Sequence, residues 1–179
     1  VASDFLPSLV SNFDAGFLVP PLRNTSLWVR TSLGQSFGNR DNAFSYFYFG
    51  GFRNNYIDYR DVQRYREDIS FPGVEIDAIP AANYGKITAE LNLKPIRFRE
   101  TGFLAFYSTY ARLSFFATGL FTDLDDAPTR REILNAGTQL DVELVFFSLI
   151  KSTLSFGYAR AFESQSLLGD QIMVSLKLL

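Results

Sequence analysis

Hydrophobic and polar residues alternate one by one along much of this chain. The alternation is clearest over residues 87–93 and over residues 134–146. A period of two places successive side chains on opposite faces of a β-strand, whereas a helix would spread the charged residues around its circumference. Both segments are therefore predicted to be strands with one apolar and one polar face. The polar faces carry Lys86, Thr88, Glu90, Asn92 and Lys94 in the first segment, and Asn135, Gly137, Gln139, Asp141 and Glu143 in the second.

The same alternation recurs elsewhere and predicts about eight strands in total. Several of them reach about ten residues, which is long enough to cross a bilayer when a strand is tilted. The further candidate strands lie at 12–19, 27–36, 43–49, 110–117, 154–159 and 172–178.

The predicted connections differ in length. Short polar turns are expected at 38–42 and 148–151, a loop at 122–130, and a much longer loop at 50–83. Short turns at one end and long loops at the other are typical of bacterial outer-membrane β-barrels. In that arrangement the C-terminus and the short turns face the periplasm, and the 50–83 loop starts outside.

A soluble β-sandwich or lipocalin-like barrel also alternates, but its apolar face points inward. Strand length, aromatic clusters near strand ends and small residues on the polar face, such as Gly34, Gly137 and Gly157, favour the membrane. The 19 Phe and 9 Tyr are also readily accommodated at a membrane interface. The predicted fold class is all-β: residues 1–179 form one antiparallel transmembrane β-barrel domain in the bacterial outer membrane.

Composition narrows the chemistry. The chain has 0 Cys and 0 His, which excludes disulfides, thiolate metal sites, His-ligated zinc and His-dependent catalysis within it. A mean hydropathy of +0.02 is too low for a helical membrane protein. The net charge of -2 gives no reason to expect nucleic acid. The chain starts at Val1 without a Met or a signal peptide, which indicates a processed protein or a piece of a longer one.

Residues 47–179 contain several recognisable motifs, which are Phe49-Gly50-Gly51, Arg64-Tyr65-Arg66, Phe71-Pro72-Gly73, Ala89-Glu90-Leu91-Asn92 and the closing segments 154–159 and 173–177. Together they resemble the C-terminal barrel of the bacterial surface-antigen superfamily, which includes outer-membrane insertases and two-partner-secretion translocators. The resemblance covers about residues 47–179, with departures where the family has Gly after the loop arginine, Asp before Gly119 and an aromatic C-terminus. It implies a barrel of about sixteen strands, of which this chain is the C-terminal half. More specifically, the chain resembles a poorly characterised branch of barrels found at the C-terminus of larger periplasmic proteins.

The resemblance implies that the long loop folds into the lumen with Arg64, Tyr65 and Arg66 at its tip. Arg64 or Arg66 is then expected to pair with a carboxylate of the lumen wall, because a guanidinium group can bind a carboxylate through two hydrogen bonds. The alternative is a solvated external loop whose salt bridges contribute little. The predicted wall residues are Glu90, Asp141, Glu143, Arg30 and Arg112.

The same charged residues have other interpretations. Paired carboxylates can form a hydrolytic active site, and Asp123, Asp125 and Asp126 can offer oxygen ligands to calcium. A charge-balanced barrel lining and an acidic external loop explain both groups without catalysis or metal. We therefore predict no catalytic residue, no metal and no cofactor.

Two functions fit these predictions best. The first is transport or protein assembly by an outer-membrane barrel whose long loop plugs the lumen. The second is structural, as a membrane anchor for a periplasmic or surface domain or a multiprotein complex. The expected partners are outer-membrane lipids and the rest of a larger barrel or a complex, with no nucleic acid. An outer-membrane enzyme and a soluble ligand-binding barrel are the weaker alternatives.

Overall fold

The structure is a computed structural model that describes residues 6–178 except 21, 23, 54–61, 99–101, 104, 105 and 148, with Phe103 described by its backbone only. Its regular structure is eleven β-strands and two short 3-10 turns, Ala43–Ser45 and Arg64–Arg66. No helix in these ranges is long and apolar enough to cross a membrane. The strands are β1 Ser8–Leu18, β2 Ser26–Ser36, β3 Phe47–Phe49, β4 Ile79–Ala81, β5 Asn83–Asn92, β6 Ile96–Arg97, β7 Gly102–Phe103, β8 Phe106–Thr122, β9 Arg131–Phe146, β10 Ile150–Glu163 and β11 Ser166–Leu178.

One large antiparallel sheet contains all of these strands except β3 and β4, which pair with each other. Its order is β1-β2-β5-β8-β9-β10-β11, and the short β6 and β7 continue along β8 beyond the end of β5. The predicted all-β antiparallel fold is confirmed. The sheet is not closed into a barrel by the described residues, and β1 and β11 are its two edges.

The two faces of this sheet differ sharply in exposure. The face that bears Lys86, Glu90, Gln139 and Asp141, here called the polar face, is mostly buried along β5, β8, β9 and β10 and exposed along β1. The opposite face, here called the apolar face, is exposed, although it carries large hydrophobic side chains. Along β9, for example, Gln139 is 0% exposed while its neighbour Leu140 is 36% exposed. This is the inverse of a water-soluble protein, in which the buried face of a sheet is the apolar one. Other exposed members of the apolar face are Phe13, Ile87, Phe115, Leu134, Phe156, Ile172, Val174 and Leu176.

Residues 37–82, here called the insertion, join β2 to β5, and the described part of the insertion covers the polar face. β2 and β5 nevertheless pair directly with each other, from Ser26 with Asn92 to Gln35 with Asn83. The chain thus leaves the sheet after Ser36 and returns to the adjacent position at Asn83.

The prediction of a sheet strand over the whole of 43–49 is wrong, whereas the chain does turn at 38–42, where the N–H of Asn42 donates to the oxygen of Asn39 at 3.0 Å. Residues Ala43–Ser45 form a 3-10 turn because the side chain of Asn42 accepts a hydrogen bond from the backbone of Phe44. Only Phe47–Phe49 is extended, and it pairs with β4 at the base of the insertion. The alternation of apolar residues in this segment is real, but the strand it forms, β3, pairs with β4 at the other end of the insertion and not with the large sheet.

The connections divide between the two ends of the sheet. The insertion, residues 123–130 and the tight turn at 164–165 lie at one end, here called the loop end. Residues 19–25, 93–105 and 147–149 lie at the other, here called the turn end, where β11 also finishes. The longest predicted loops therefore share one end, although residues 93–105 form a longer connection at the turn end than the sequence suggested.

Glycines on the polar face allow aromatic side chains to lie flat across the neighbouring strand. Tyr84 covers Gly34, its cross-strand partner on β2, and Phe116 covers Gly137, its partner on β9. A Cβ at either glycine would overlap the ring that covers it. These aromatic rings form the floor on which the insertion packs.

Candidate functional site

The insertion is held to the polar face by two apolar clusters. The larger lies at the loop end, and the smaller lies further along the face, beneath the tip of the insertion. Every side chain in both clusters is buried. The larger combines Phe49, Phe71, Ile79 and Ala81 of the insertion with Tyr84, Leu120, Ile133 and Ala161 of the sheet; the smaller combines Phe52 and Tyr65 with Phe116, Ala159 and Met173.

Tyr65 packs on the sheet through its ring. It is 1% exposed, and its ring stacks on that of Phe116 with 4.2 Å between centroids and 12° between planes. Such a pair contributes about 0.5–1.5 kcal/mol beyond the burial of its area. Gly137 makes this possible, because it lets Phe116 lie flat. The predicted tip residue Tyr65 therefore docks on the wall instead of extending into solvent.

Arg66 makes the central ionic contact of the site. Its Nε donates to Oε2 of Glu90 at 2.8 Å, and its terminal nitrogen donates to Oε1 of the same carboxylate. Glu90 is 0% exposed. It also accepts from the amide of Asn92 and, at 3.5 Å, from Nε of Arg30. A fully buried carboxylate is thus neutralised by one arginine of the insertion and one of β2, as burial of a charge requires.

Arg64 points away from Glu90, toward the edge of the sheet formed by β11. Its guanidinium donates to Oγ of Ser175 on β11 at 2.6 Å and to the backbone oxygen of Arg53 at 3.3 Å. The two arginines of the tip therefore reach toward different strands, Arg66 to β5 and Arg64 to β11. Between them they span most of the width of the sheet.

Lys86 provides an anchor that sequence reasoning missed. Its Nζ donates to three backbone oxygens of the insertion, those of Glu67 at 2.9 Å, Asp68 at 3.0 Å and Ser70 at 2.7 Å. Lys86 is 6% exposed. Its position on the polar face was visible in the alternation, but its partners are carbonyls 16 to 19 residues away that no side-chain pattern reveals.

Uncharged wall residues bind the insertion backbone in the same way. Asn135 donates to the oxygen of Pro72 at 2.8 Å, and Gln139 donates to that of Val62 at 3.0 Å. In the other direction, Gln63 donates to Oγ of Ser114 at 3.1 Å. The polar face therefore supplies the hydrogen-bond partners that buried loop carbonyls need.

Among the described contacts, the predicted wall residues Asp141 and Glu143 bind neither Arg64 nor Arg66. Asp141 is 1% exposed and accepts from Gln139 at 2.6 Å and from Ser155 at 2.7 Å, with Arg112 at 3.4 Å. Glu143 accepts from Thr109 at 2.7 Å. The structure thus brings together Arg66, Glu90 and Arg30, and leaves Arg112 with Asp141 as a separate pair.

The acidic loop at 123–130 is bound to its neighbours. Asp125 accepts from Asn83 and from Arg40, and these contacts hold the pKa of its exposed carboxyl below the ordinary value. Asp123 accepts from the backbone of Ala82 at 3.0 Å. Among the described residues no three or more acidic, His or Cys side chains are grouped to hold a metal ion.

These contacts assign the polar face one clear task, which is to bind the insertion. Comparison with family models, curated proteins and solved structures found no match to this chain.

Proposed function

We propose that this protein is an outer-membrane β-barrel of the transport or assembly type, and that the insertion closes its lumen. The observation that carries the proposal is the inverted sheet: a buried polar face beneath the insertion and an exposed apolar face on the other side. The resemblance to the surface-antigen superfamily supports the same proposal independently.

The exposure of the apolar face is costly in water. Ile172 is 75% exposed and Val174 65%, both on β11, and Leu134 on β9 is 60% exposed. Burial of apolar surface stabilises a protein by about 25 cal/mol per Å², and a large exposed apolar surface usually marks a membrane or protein contact. Lipid chains would cover this face without requiring any hydrogen-bond partner.

A bilayer also requires that all backbone polar groups within it are paired. The antiparallel ladder satisfies this for the five inner strands of the main path but not for the outer edges of β1 and β11. The proposal therefore needs further strands between those edges, which agrees with the larger barrel that the resemblance implies. The rest of such a barrel is the proposed partner.

The alternative function is a static membrane anchor. The favouring observation is how firmly the insertion is held, since it bonds to β1 through Asn12 and Asp68 and to β11 through Arg64 and Ser175. A plug bound across the whole sheet can stabilise a barrel without ever moving.

Replacement of the tip distinguishes these functions. In the full-length protein, residues 63–70 exchanged for a Gly-Ser linker of equal length should raise the conductance in planar bilayers, because the linker lacks the Tyr65 and Arg66 contacts. A Gly-Ser replacement of residues 127–129, which are exposed and for which no contact with the insertion is described, is the control and should leave the conductance unchanged. Insertion into the bilayer without a rise after tip replacement would favour the anchor. Failure of the wild-type protein to insert would refute the membrane proposal.

A further inference from the structure

The insertion packs unevenly across the sheet. Its apolar contacts are with β5 and with β8 to β11; among the described residues, neither cluster contains a side chain of β1 or β2. Toward those two strands the contacts are polar, such as the hydrogen bond of 3.0 Å between Asn12 of β1 and Asp68. One side of the insertion is thus sealed by apolar packing, and the other is not.

A cavity of about 100 Å³ lies on the unsealed side. A cavity of about 10–15 Å³ is large enough to hold one water molecule, so this cavity accommodates several. Polar cavities of this size are hydrated, whereas dry cavities are apolar. The cavity is lined mainly by Asn12, Asp14, Arg30, Ser32, Arg66 and Asp68.

The charges around the cavity are nearly balanced. Arg30 and Asp14 form an ion pair across β1 and β2, with side chains 21% and 44% exposed. Arg66 is bound to Glu90 behind it, and Lys86 is occupied by backbone carbonyls. Arg30, Asp14 and the exposed Asp68, whose carboxylate accepts from Asn12, are therefore the charges most available to a passing ion.

We propose that this cavity is the path by which small hydrated ions pass the seated insertion, with the Arg30–Asp14 pair setting its charge selectivity. The inference rests on the proposed membrane barrel but adds a route and a substrate class, monovalent ions such as K⁺ and Cl⁻. Because the two charges oppose each other, the wild-type path discriminates weakly between cations and anions. Loss of either charge leaves the other uncompensated beside the path.

The test measures reversal potentials across a KCl gradient in planar bilayers, using the full-length protein with its insertion intact. Arg30→Gln should favour cations and Asp14→Asn should favour anions. Each should change the permeabilities of K⁺ and Cl⁻ in opposite directions, by up to about fivefold for each ion, the effect of one unit charge about 4 Å away in water. The double variant should return close to the wild-type ratio, since it again has no excess charge.

Arg131 and Glu163 provide a matched control. They form an ion pair of 2.7 Å between β9 and β10 and do not line the cavity. Arg131→Gln and Glu163→Gln should leave the permeability ratio unchanged.

Three results would overturn the inference. The first is a wild-type protein that inserts but carries no current until the tip is replaced, which would refute the path and leave the proposed function standing. The second is a pair of single variants that shift the ratio in the same direction or not at all. The third is an equal shift in the Arg131 and Glu163 variants. Absence of bilayer insertion would instead refute the membrane barrel itself, and the path with it.

Discussion

Glu90 shows how a single buried charge organises the docking of the insertion. The carboxylate has no exposure to solvent, yet it carries two arginines and the amide of Asn92. Removal of one partner from a buried ion pair costs far more than the net contribution of the pair, because the remaining charge stays desolvated. Arg66 and Arg30 are each about one-fifth exposed, so water can compensate part of that loss.

Glu90→Gln should therefore destabilise the folded protein by up to about 3 kcal/mol. Urea unfolding in detergent micelles measures this change. Glu143→Gln is the matched control, since Glu143 was predicted to lie on the same wall but accepts from Thr109 instead of a tip arginine. Equal destabilisation by both variants would argue that Arg66 does not depend on Glu90.

Strand β1 gives the simplest comparison between the polar face and the apolar face. Its adjacent residues Asn12 and Phe13 point to opposite faces, and both are exposed, Phe13 by 70%. In a water-soluble protein an arginine would be tolerated equally at both positions. In a membrane barrel only the polar face tolerates it.

Phe13→Arg should impair membrane insertion, because a cation facing lipid near the middle of the bilayer costs about 2–4 kcal/mol. Asn12→Arg should have a much smaller effect, since Asp14 and Asp68 lie on its side of the strand. Folding into vesicles, followed by gel mobility without heating, compares the two. Similar yields for both variants would count against lipid on the apolar face.

For the molecule as a whole, the proposal assigns opposite sides of the membrane to the two ends of the sheet. The loop end carries the insertion and residues 123–130, and the turn end carries residues 147–149 and the end of β11. Residues 1–179 contain no cysteine, so a thiol introduced at either end is the only one in this part of the protein and can report the location of that end.

Ala127→Cys at the loop end should react with a membrane-impermeant maleimide on intact cells. Leu149→Cys at the turn end, where the native side chain is 86% exposed, should react only after the outer membrane is permeabilised. Reaction of both positions on intact cells would contradict the assigned orientation. The reverse pattern would place the insertion in the periplasm.

The alternation of residue types was enough to predict the seven long strands of the sheet and their two faces, although not their exact ends. Side-chain direction in a strand depends only on position along the chain, so Lys86, Glu90, Gln139 and Asp141 were assigned to the same face without any knowledge of contacts. Most of the connection before β5 was also visible, because no strand pattern occupies residues 50–83.

Tertiary structure alone decided which residues meet across that face. The pairing of Arg66 with Glu90, of Arg64 with Ser175 and of Lys86 with loop carbonyls joins residues far apart in sequence, and depends on how the sheet curves and where the insertion enters. The strand predicted at 43–49 failed for the same reason. Phe47 and Phe49 pack against Tyr84 of β5 while Phe44 is 87% exposed, because a local pattern shows that a segment has an apolar side without showing what that side packs against.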